Sequence, residues 1–249
     1  VRADLAAYYD EIARLDHYVG LVIDELDRQG VLENTLVVLV ADNGRPFFRS
    51  KAHIYDSGMQ TPFIAHWPNR IAPGQVSESL VSAIDIAPTF VAAAGLDIEG
   101  STFQGLSLLP QFEAPDTPAH HYVFSERNWH GYASHQRAVR DREGFLYIRN
   151  ARPELNNLGT PDYVTYMYRM YLEGGLTAFQ ADPFVSPRPA EELYNCHEDP
   201  HQEVNLLLHA GDAARHHEKL VELRDTMDHW QELTGDTVPE IYVPDWYLR

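Results

Sequence analysis

A long helical pattern followed directly by an unbroken apolar strand constrains the fold of this chain more than any other feature. Between residues 4 and 29, apolar side chains recur every three or four positions, which is typical of one stripe along an amphipathic helix. After a turn at Glu33-Asn34, residues 36–40 form a β-branched and leucine-rich run. Such a run is typical of a parallel strand covered on both faces. A helix followed by a buried strand predicts an α/β sheet.

The chain divides at a proline-containing, acidic stretch, which we predict to be a linker at 113–121. Before it, a second helix is expected with Asp85 as its N-terminal cap. After it come short strand-like pieces and a helical pattern at 213–233. The sequence therefore predicts a first domain at 1–112. A smaller α+β domain follows at 122–249, with a short antiparallel sheet and a long C-terminal helix.

The charge balance argues against several partners. The chain has 37 Asp and Glu residues against 19 Lys and Arg, so its formal net charge is −18. A surface this acidic repels DNA, RNA and anionic lipid, which argues against a nucleic-acid-binding protein. No run approaches the roughly 18 consecutive apolar residues of a membrane span, so none is predicted. An anionic substrate would require a local basic pocket.

The single cysteine, Cys196, restricts the chemistry further. One cysteine cannot form an internal disulfide or a cysteine-rich zinc or iron–sulfur site. We predict that it is a small buried side chain without a catalytic role. The 13 histidines lack the paired spacing of zinc ligands beside a plausible third ligand. A zinc site is therefore not expected.

The segment Asp42-Asn43-Gly44 follows the predicted buried strand, where open α/β sheets place their ligands. Asp42 and Asn43 offer a carboxylate and a neutral carbonyl oxygen, which suit calcium or magnesium better than zinc. Gly44 allows the backbone to turn sharply away. The alternative is an ordinary turn after a strand.

Three cations, Arg45, Arg49 and Lys51, follow within seven residues. Lysine presents a compact charge to a sulfate or phosphate oxygen, and arginine presents a planar fork. The alternative is a solvated basic loop. Together with the adjacent oxygen ligands, however, the cations favour a metal-assisted site for an oxyanion ester or amide.

An ordered set of motifs resembles the carboxyl-terminal half of the formylglycine-dependent sulfatases. Its members are Asp42-Asn43-Gly44, Lys51, Tyr55-Asp56-Ser57-Gly58, Asp85-Ile86-Ala87-Pro88-Thr89, Gly105-Leu106-Ser107-Leu108 and Glu192-Leu193-Tyr194. The resemblance extends over nearly the whole chain. It implies an alkaline-phosphatase-like α/β fold, in which residues 1–112 form the carboxyl-terminal part of the catalytic domain.

The resemblance also implies residue roles. Asp42 and Asn43 match the family's second pair of calcium ligands. Lys51 matches the basic residue that holds the substrate sulfate and balances charge at the reacting sulfur. His130 falls where one branch of the family has a histidine near the sugar, although a surface histidine is the alternative. The Tyr/Met-rich stretch could likewise stack on sugar rings, but at helical spacing a core stripe is favoured: Tyr163, Tyr166, Met167, Met170 and Tyr171.

Two segments, Asn43-Gly44-Arg45-Pro46-Phe47 and residues 124–130, most resemble the heparan N-sulfatase branch, which cleaves N-linked sulfate from glucosamine. The expected substrate is therefore a sulfated glycan or amino sugar. A sugar O-sulfatase, or a related phosphonate or phosphate ester hydrolase, is the enzymatic alternative. A noncatalytic carbohydrate-binding remnant of a sulfatase is the alternative from another class.

The family's nucleophile motif, Cys/Ser-x-Pro-x-Arg, is absent from this sequence. Neither Cys196 nor Ser186-Pro187-Arg188 has its spacing. Since the family carries this motif and its first acidic calcium pair in the amino-terminal half, we expect the chain to begin inside a longer protein. Alone, without that half and its formylglycine, we expect it to be inactive. The family resemblance suggests a secreted, periplasmic or lysosome-like location. The sequence does not predict an oligomeric state.

Overall fold

The computed structural model of this chain describes residues 2–159, 161–241 and 243–246, and the side chains of residues 161–164 lie outside that description. The chain packs into two compact units. The first comprises Val1–Val40, Phe63–Ser79 and Ala83–Ala119, and the second comprises Ala41–Pro62, Leu80–Ser82 and His120–Arg249. The domain boundaries predicted from the sequence, 1–112 and 122–249, refer to the domains of a complete enzyme. They remain a prediction.

Helices and short strands occur in both units. In chain order, the helices are α1 (Arg2–Arg28), α2 (Asp56–Met59), α3 (Ile86–Ala93), α4 (Leu109–Glu113), α5 (Pro161–Leu172), α6 (Ala178–Ala181), α7 (Ala210–Arg215) and α8 (His217–Thr234). The strands are β1 (Val37–Val40), β2 (Phe63–His66), β3 (Tyr122–Trp129), β4 (Ala133–Asp141), β5 (Phe145–Asn150) and β6 (Glu191–Asn195).

Helix α1 forms over the predicted helical pattern, which confirms that prediction. Asp4 in its first turn and Arg28 in its last turn complement the helix dipole. The Arg28 guanidinium also donates to the Glu25 carboxylate at 2.8 Å, one turn earlier. No residue of α1 is buried. Ile12 and Leu15, for example, are 44% and 53% exposed, so the apolar stripe has no cover within the described part of the chain.

Strand β1 confirms the predicted strand but corrects its environment. It pairs antiparallel with β2, with Val37 opposite His66, in a two-stranded sheet. Its residues are half-buried, and Val40 is exposed. The expected parallel strand, covered on both faces, is therefore not present among the described residues. An apolar run indicates burial but does not fix strand direction, because direction depends on which strand pairs with it.

Asp85 stands at the predicted N-terminal cap position of α3, but its side chain does not cap the helix. Asp85 has helical backbone angles and makes no capping hydrogen bond. Its buried carboxylate instead accepts a hydrogen bond from the Leu106 amide at 2.9 Å. The Thr89 hydroxyl, one turn later, accepts a hydrogen bond from the Leu108 amide at 2.8 Å. Both side chains thus bind the loop at 106–108 to the start of α3. Local capping rules do not predict these contacts, because the loop is distant in the sequence.

The second unit contains an antiparallel sheet in the order β3-β4-β5-β6. Tyr147 of β5 lies opposite both Val139 of β4 and Leu193 of β6, so these side chains share one face. That face packs against α8 through three residues of its apolar stripe: Leu220, Leu223 and Met227. The structure thereby confirms the predicted short antiparallel sheet and long C-terminal helix.

The opposite face of this sheet covers the segment that leads into the functional site. Its apolar residues pack against Ile54 and Tyr55, which are 2% and 0% exposed: Ala138, Leu146, Ile148, Tyr194 and Cys196. Cys196 is thus buried as predicted, and burial raises the pKa of its thiol to about 12. On this side of the sheet, a buried layer of side chains therefore lies between the strands and residues 49–56.

The Tyr/Met-rich stretch forms α5, but only part of it enters a core. Met167 packs against a buried cluster of Tyr132, Leu158 and Phe184. Tyr166 is exposed, and the side chain of Tyr163 lies outside the described residues. No helix in the described part of the chain is long and apolar enough to cross a membrane.

Candidate functional site

A cavity of about 360 Å³ lies within the second unit, between residues 43–59 and 126–130. Three of the four residues predicted to form the site line it, and Asp42 immediately precedes the first of them. The lining residues used below are Asn43, Lys51, His53, Glu126, Arg127, Trp129 and His130. The structure therefore brings together segments that are about 80 residues apart in the sequence.

Two glycines allow the backbone to fold tightly beside the cavity. The Gly44 amide donates to the Gly58 carbonyl at 2.8 Å. A Cβ atom on Gly44 would lie 2.0 Å from the Ser57 carbonyl oxygen, and one on Gly58 would lie 2.1 Å from the His53 carbonyl oxygen. Any side chain would push these strands of backbone apart. Glycine at both positions therefore fixes Asn43 beside the turn that carries Lys51.

Of the two oxygen ligands predicted for a metal, Asn43 lines this cavity and Asp42 precedes it in the sequence. The Asn43 amide nitrogen donates to the Gly44 carbonyl at 2.7 Å, which leaves its side-chain carbonyl oxygen as the available acceptor. Asp42 is exposed. Among the described residues, no cluster of three or more His, Cys, Asp or Glu side chains could hold a metal ion. Asp42 and Asn43 fit a hard cation chemically, but supply only part of the six to eight oxygens that calcium generally takes.

Lys51 lies in a strained turn. Arg49 and Ala52, on either side of it, have φ angles of 59° and 64°, in the left-handed region that non-glycine residues seldom adopt. The Lys51 amide donates to the Arg45 carbonyl at 3.1 Å, and the Ser57 hydroxyl donates to the Arg49 carbonyl at 2.6 Å. Such strain costs about 1–3 kcal/mol per residue and persists only where surrounding contacts hold it, as they commonly do at functional sites.

Only Lys51 of the three predicted cations lines the cavity, so the predicted basic pocket is corrected. Arg45 is exposed. The buried Arg49 guanidinium donates to the carbonyls of His201 and Gln202 at 3.0 and 2.7 Å, and lies 3.6 Å from the centre of the Tyr55 ring. Its charge therefore anchors the loop and is directed away from a ligand. The side chains of Arg49 and Lys51 therefore have different surroundings: Arg49 packs against Tyr55, and Lys51 lines the cavity.

His53 forms part of the cavity floor. It is 2% exposed, and its ring nitrogens lie 3.2 Å from the Lys51 carbonyl oxygen and 2.9 Å from that of Asn157. A Cβ atom on Gly159 would lie 2.5 Å from the His53 ring. Burial, reinforced by the nearby Arg127 charge, lowers the pKa of His53 to about 3. The imidazole is thus neutral at pH 7 and joins the Lys51 turn to residues 157–159.

This pKa predicts a pH-dependent stability. In the unfolded chain His53 titrates near 6.5, so between that pH and about 3 the unfolded state binds a proton that the folded state does not. The contribution of His53 to the free energy of unfolding is full above pH 6.5 and declines as the pH falls. Urea unfolding of the complete enzyme at pH 7.5, 5.5 and 4.5 should show this loss. His53→Asn should make it shallower, whereas equal pH slopes would contradict the assignment.

Arg127 fixes the same loop from the other side. Its guanidinium donates to the Asn157 side chain and to the Leu158 carbonyl, and it is 6% exposed. Asn157 is fully buried. Arg127 therefore holds the cavity wall, which the sequence did not indicate. The roles of His53 and Asn157 were also missed, because the contacts that define them join residues about 100 positions apart.

His130 lines the cavity at the end of β3 but is itself exposed. Partial burial lowers its pKa, and the positive charges of Lys51 and Arg127 lower it further. The neutral imidazole can donate one hydrogen bond and accept another. Lys51 and His130 both line the cavity, and the Lys51 charge is close enough to act on the imidazole.

Comparison with solved structures shows which fold this chain shares. BT4656, solved in complex with its substrate D-glucosamine-2-N,6-O-disulfate, aligns with a TM-score of 0.67 and 22% sequence identity. The alignment covers 92% of this chain and 40% of that chain. This likeness supports the predicted alkaline-phosphatase-like α/β fold, seen here in its carboxyl-terminal part.

Sequence comparison shows which proteins this chain resembles. The sulfatase family model matches residues 2–96. An ulvan-active sulfatase of Formosa agariphila is 34% identical over 95% of this chain and 39% of its own length. Human N-sulphoglucosamine sulphohydrolase is 33% identical over 100% of this chain and 51% of its own length. The whole chain is therefore similar to sulfatases, and it spans about two fifths to one half of the length of these relatives.

Proposed function

We propose that this chain forms the sulfate-binding, carboxyl-terminal part of a sulfatase that removes N-linked sulfate from glucosamine in heparan-type glycans. The observation that carries the proposal is the convergence of Lys51, Asn43 and His130 on one cavity of a chain that is similar to sulfatases. The match of the whole chain to N-sulphoglucosamine sulphohydrolase supports N-linked sulfate as the target.

Lys51 is proposed to bind the sulfate and to act in catalysis. Its ammonium is a compact charge with three donors, which suits sulfate oxygens. A fixed positive charge in a partly enclosed site stabilises negative charge that develops during the reaction. His130 is proposed to contact the sugar, because a neutral imidazole suits a hydroxyl group or the sulfamate nitrogen. Both roles use side chains that the fold holds on the same cavity.

Asp42 and Asn43 are proposed to hold part of a calcium ion. When bound, calcium would neutralise charge on the sulfate oxygens. The remaining ligands would come from the part of the sulfatase that this chain does not span. We propose that the same part supplies the formylglycine and covers the exposed stripe of α1, so that the enzyme is complete only with both parts.

The calcium assignment predicts a measurable loss of metal. Asp42→Ala in the complete enzyme removes one charged oxygen ligand, and we expect calcium content after dialysis to fall clearly below one ion per enzyme. Elemental analysis measures it. Asp225→Ala, which removes an exposed carboxylate on α8, is the matched control and should retain calcium. Full occupancy in Asp42→Ala would rule out Asp42 as a ligand.

Sulfate release from two substrates tests the proposed function. The complete enzyme is given glucosamine carrying either N-linked or 6-O-linked sulfate, and we expect release from the N-linked substrate. Release from the 6-O-sulfate alone would establish the O-sulfatase alternative. The substrate of the structural neighbour carries both groups, so that neighbour fits either outcome. Release from neither would leave the noncatalytic glycan-binding alternative.

A further inference from the structure

The residues before the C-terminus are fixed against the turn between β3 and β4. The Trp246 amide donates to the Gly131 carbonyl at 2.9 Å, and the Ala133 amide donates to the Asp245 carboxylate at 2.6 Å. The Trp129 indole N–H donates to the Pro244 carbonyl at 3.3 Å. These three bonds give residues 244–246 a defined position beside the end of β3, although they are more than 100 residues away in the sequence.

The two tryptophans at this position form an aromatic pair. Their rings lie 4.5 Å apart between centroids at an interplanar angle of 78°, an edge-to-face arrangement. Trp246 is nevertheless 71% exposed. The backbone bonds of residues 244–246 and the contact with Trp129 therefore present a large indole to solvent in a fixed place. Because its position is fixed by these contacts, the indole offers a ligand a large amphipathic face at little cost in conformational entropy.

The aromatic pair is continuous with the candidate site. Trp129 lines the same cavity as Lys51 and His130, and Trp246 extends the aromatic surface from Trp129. A ligand whose sulfate lies at Lys51 therefore meets Trp129 on the cavity wall. Any part of that ligand reaching past Trp129 would meet Trp246.

We propose that the exposed indole of Trp246, held edge-to-face against Trp129, forms a platform for a pyranose ring of the glycan, next to the ring that carries the reacting sulfate. The inference rests on the proposed function and adds which residue binds the sugar next to the reacting one. The C–H face of a pyranose is apolar and packs on an indole ring. With a net charge of −18, the chain repels a polyanionic glycan at long range. Stacking of the sugar ring on an indole does not depend on charge, so it adds attraction in spite of this repulsion.

The test compares a sulfated tetrasaccharide with sulfated glucosamine in the complete enzyme. Calorimetry measures the Kd of both, and sulfate release measures KM. Trp246→Ala should raise both constants for the tetrasaccharide about fivefold, while leaving those for the monosaccharide unchanged. Trp246→Tyr, which keeps an aromatic face, should restore most of the affinity. Leu233→Ala removes a similarly exposed apolar side chain on α8 and is the matched control.

The outcomes separate this inference from the proposed function. Equal changes for both ligands in Trp246→Ala, or no change for either, would overturn the platform even if sulfate is released. Failure of the wild-type enzyme to bind the tetrasaccharide would overturn it as well. Binding that depends on Trp246, without release of sulfate, would support the platform and refute the proposed hydrolase activity.

Discussion

Replacing Lys51 by alanine in the complete enzyme is expected to lower kcat for N-sulfated glucosamine at least about tenfold, because charge stabilisation at the reacting sulfate is lost. KM should rise as well, since the same ammonium would bind the sulfate of the substrate. Steady-state kinetics with both parameters resolved measures the effect. Lys51 lines the cavity, and backbone hydrogen bonds hold the turn that carries it. Its ammonium is therefore positioned for a ligand, unlike that of a lysine on a mobile surface loop.

Arg45→Ala is the matched control for Lys51. Arg45 is a cation of the same loop, but it is exposed and is not among the cavity residues. Its replacement should leave kcat and KM within about twofold of the wild type, as is usual for a surface charge. Lys51→Arg should retain part of the activity, because it keeps the charge but changes its shape. Unchanged kinetics in Lys51→Ala would show that Lys51 belongs to a solvated basic loop and does not bind the sulfate.

Glu192→Ala is expected to lower the free energy of unfolding of the second unit by about 3–5 kcal/mol, because it removes the nearest carboxylate from the buried Arg188 guanidinium and leaves it with the more distant Asp182, at 3.5 Å. Glu192 is 1% exposed and accepts a hydrogen bond from Arg188 at 3.0 Å. The Tyr55 and Tyr194 hydroxyls donate to it at 3.0 and 2.6 Å. Burial by itself would raise the pKa of Glu192, but Arg188 and these hydrogen bonds lower it.

An exposed ion pair gives the comparison for Glu192. Asp228 pairs with Arg149 at 2.6 Å, but its side chain is 59% exposed. Asp228→Ala should therefore cost at most about 1 kcal/mol. Chemical denaturation of the complete enzyme, followed through the transition that exposes the second unit, measures both variants. Similar small losses for Glu192→Ala and Asp228→Ala would show that the buried network does not stabilise the fold.

The same network connects stability to the candidate site. Tyr55 lies four residues after Lys51, and its hydroxyl bonds to Glu192 while its ring packs against Arg49. The strained turn at Lys51 is thus held between the buried sheet and the loop at 157–159. Glu192 does not line the cavity, so we expect Glu192→Ala to lower activity mainly by lowering the folded fraction, whereas Lys51→Ala should lower the activity of folded enzyme.

Local sequence determined the elements whose stability depends on near neighbours. The spacing of apolar residues predicted α1 and α8, and the β-branched run predicted β1. The position of Asp42 and Asn43 after that strand also followed from the sequence. The order of motifs indicated the family and singled out Lys51. These features depend on residues a few positions apart, which is the range over which helix periodicity and turn chemistry act.

Only the tertiary structure decided which polar residues face the cavity. Arg49 and Lys51 are two residues apart and equally basic, yet the fold buries Arg49 against Tyr55 and leaves Lys51 on the cavity wall. His53 acquires its low pKa, and its place under Lys51, through Asn157 and Arg127. Burial and electrostatic environment are set by segments that meet only when the chain packs, so the local pattern could not supply them.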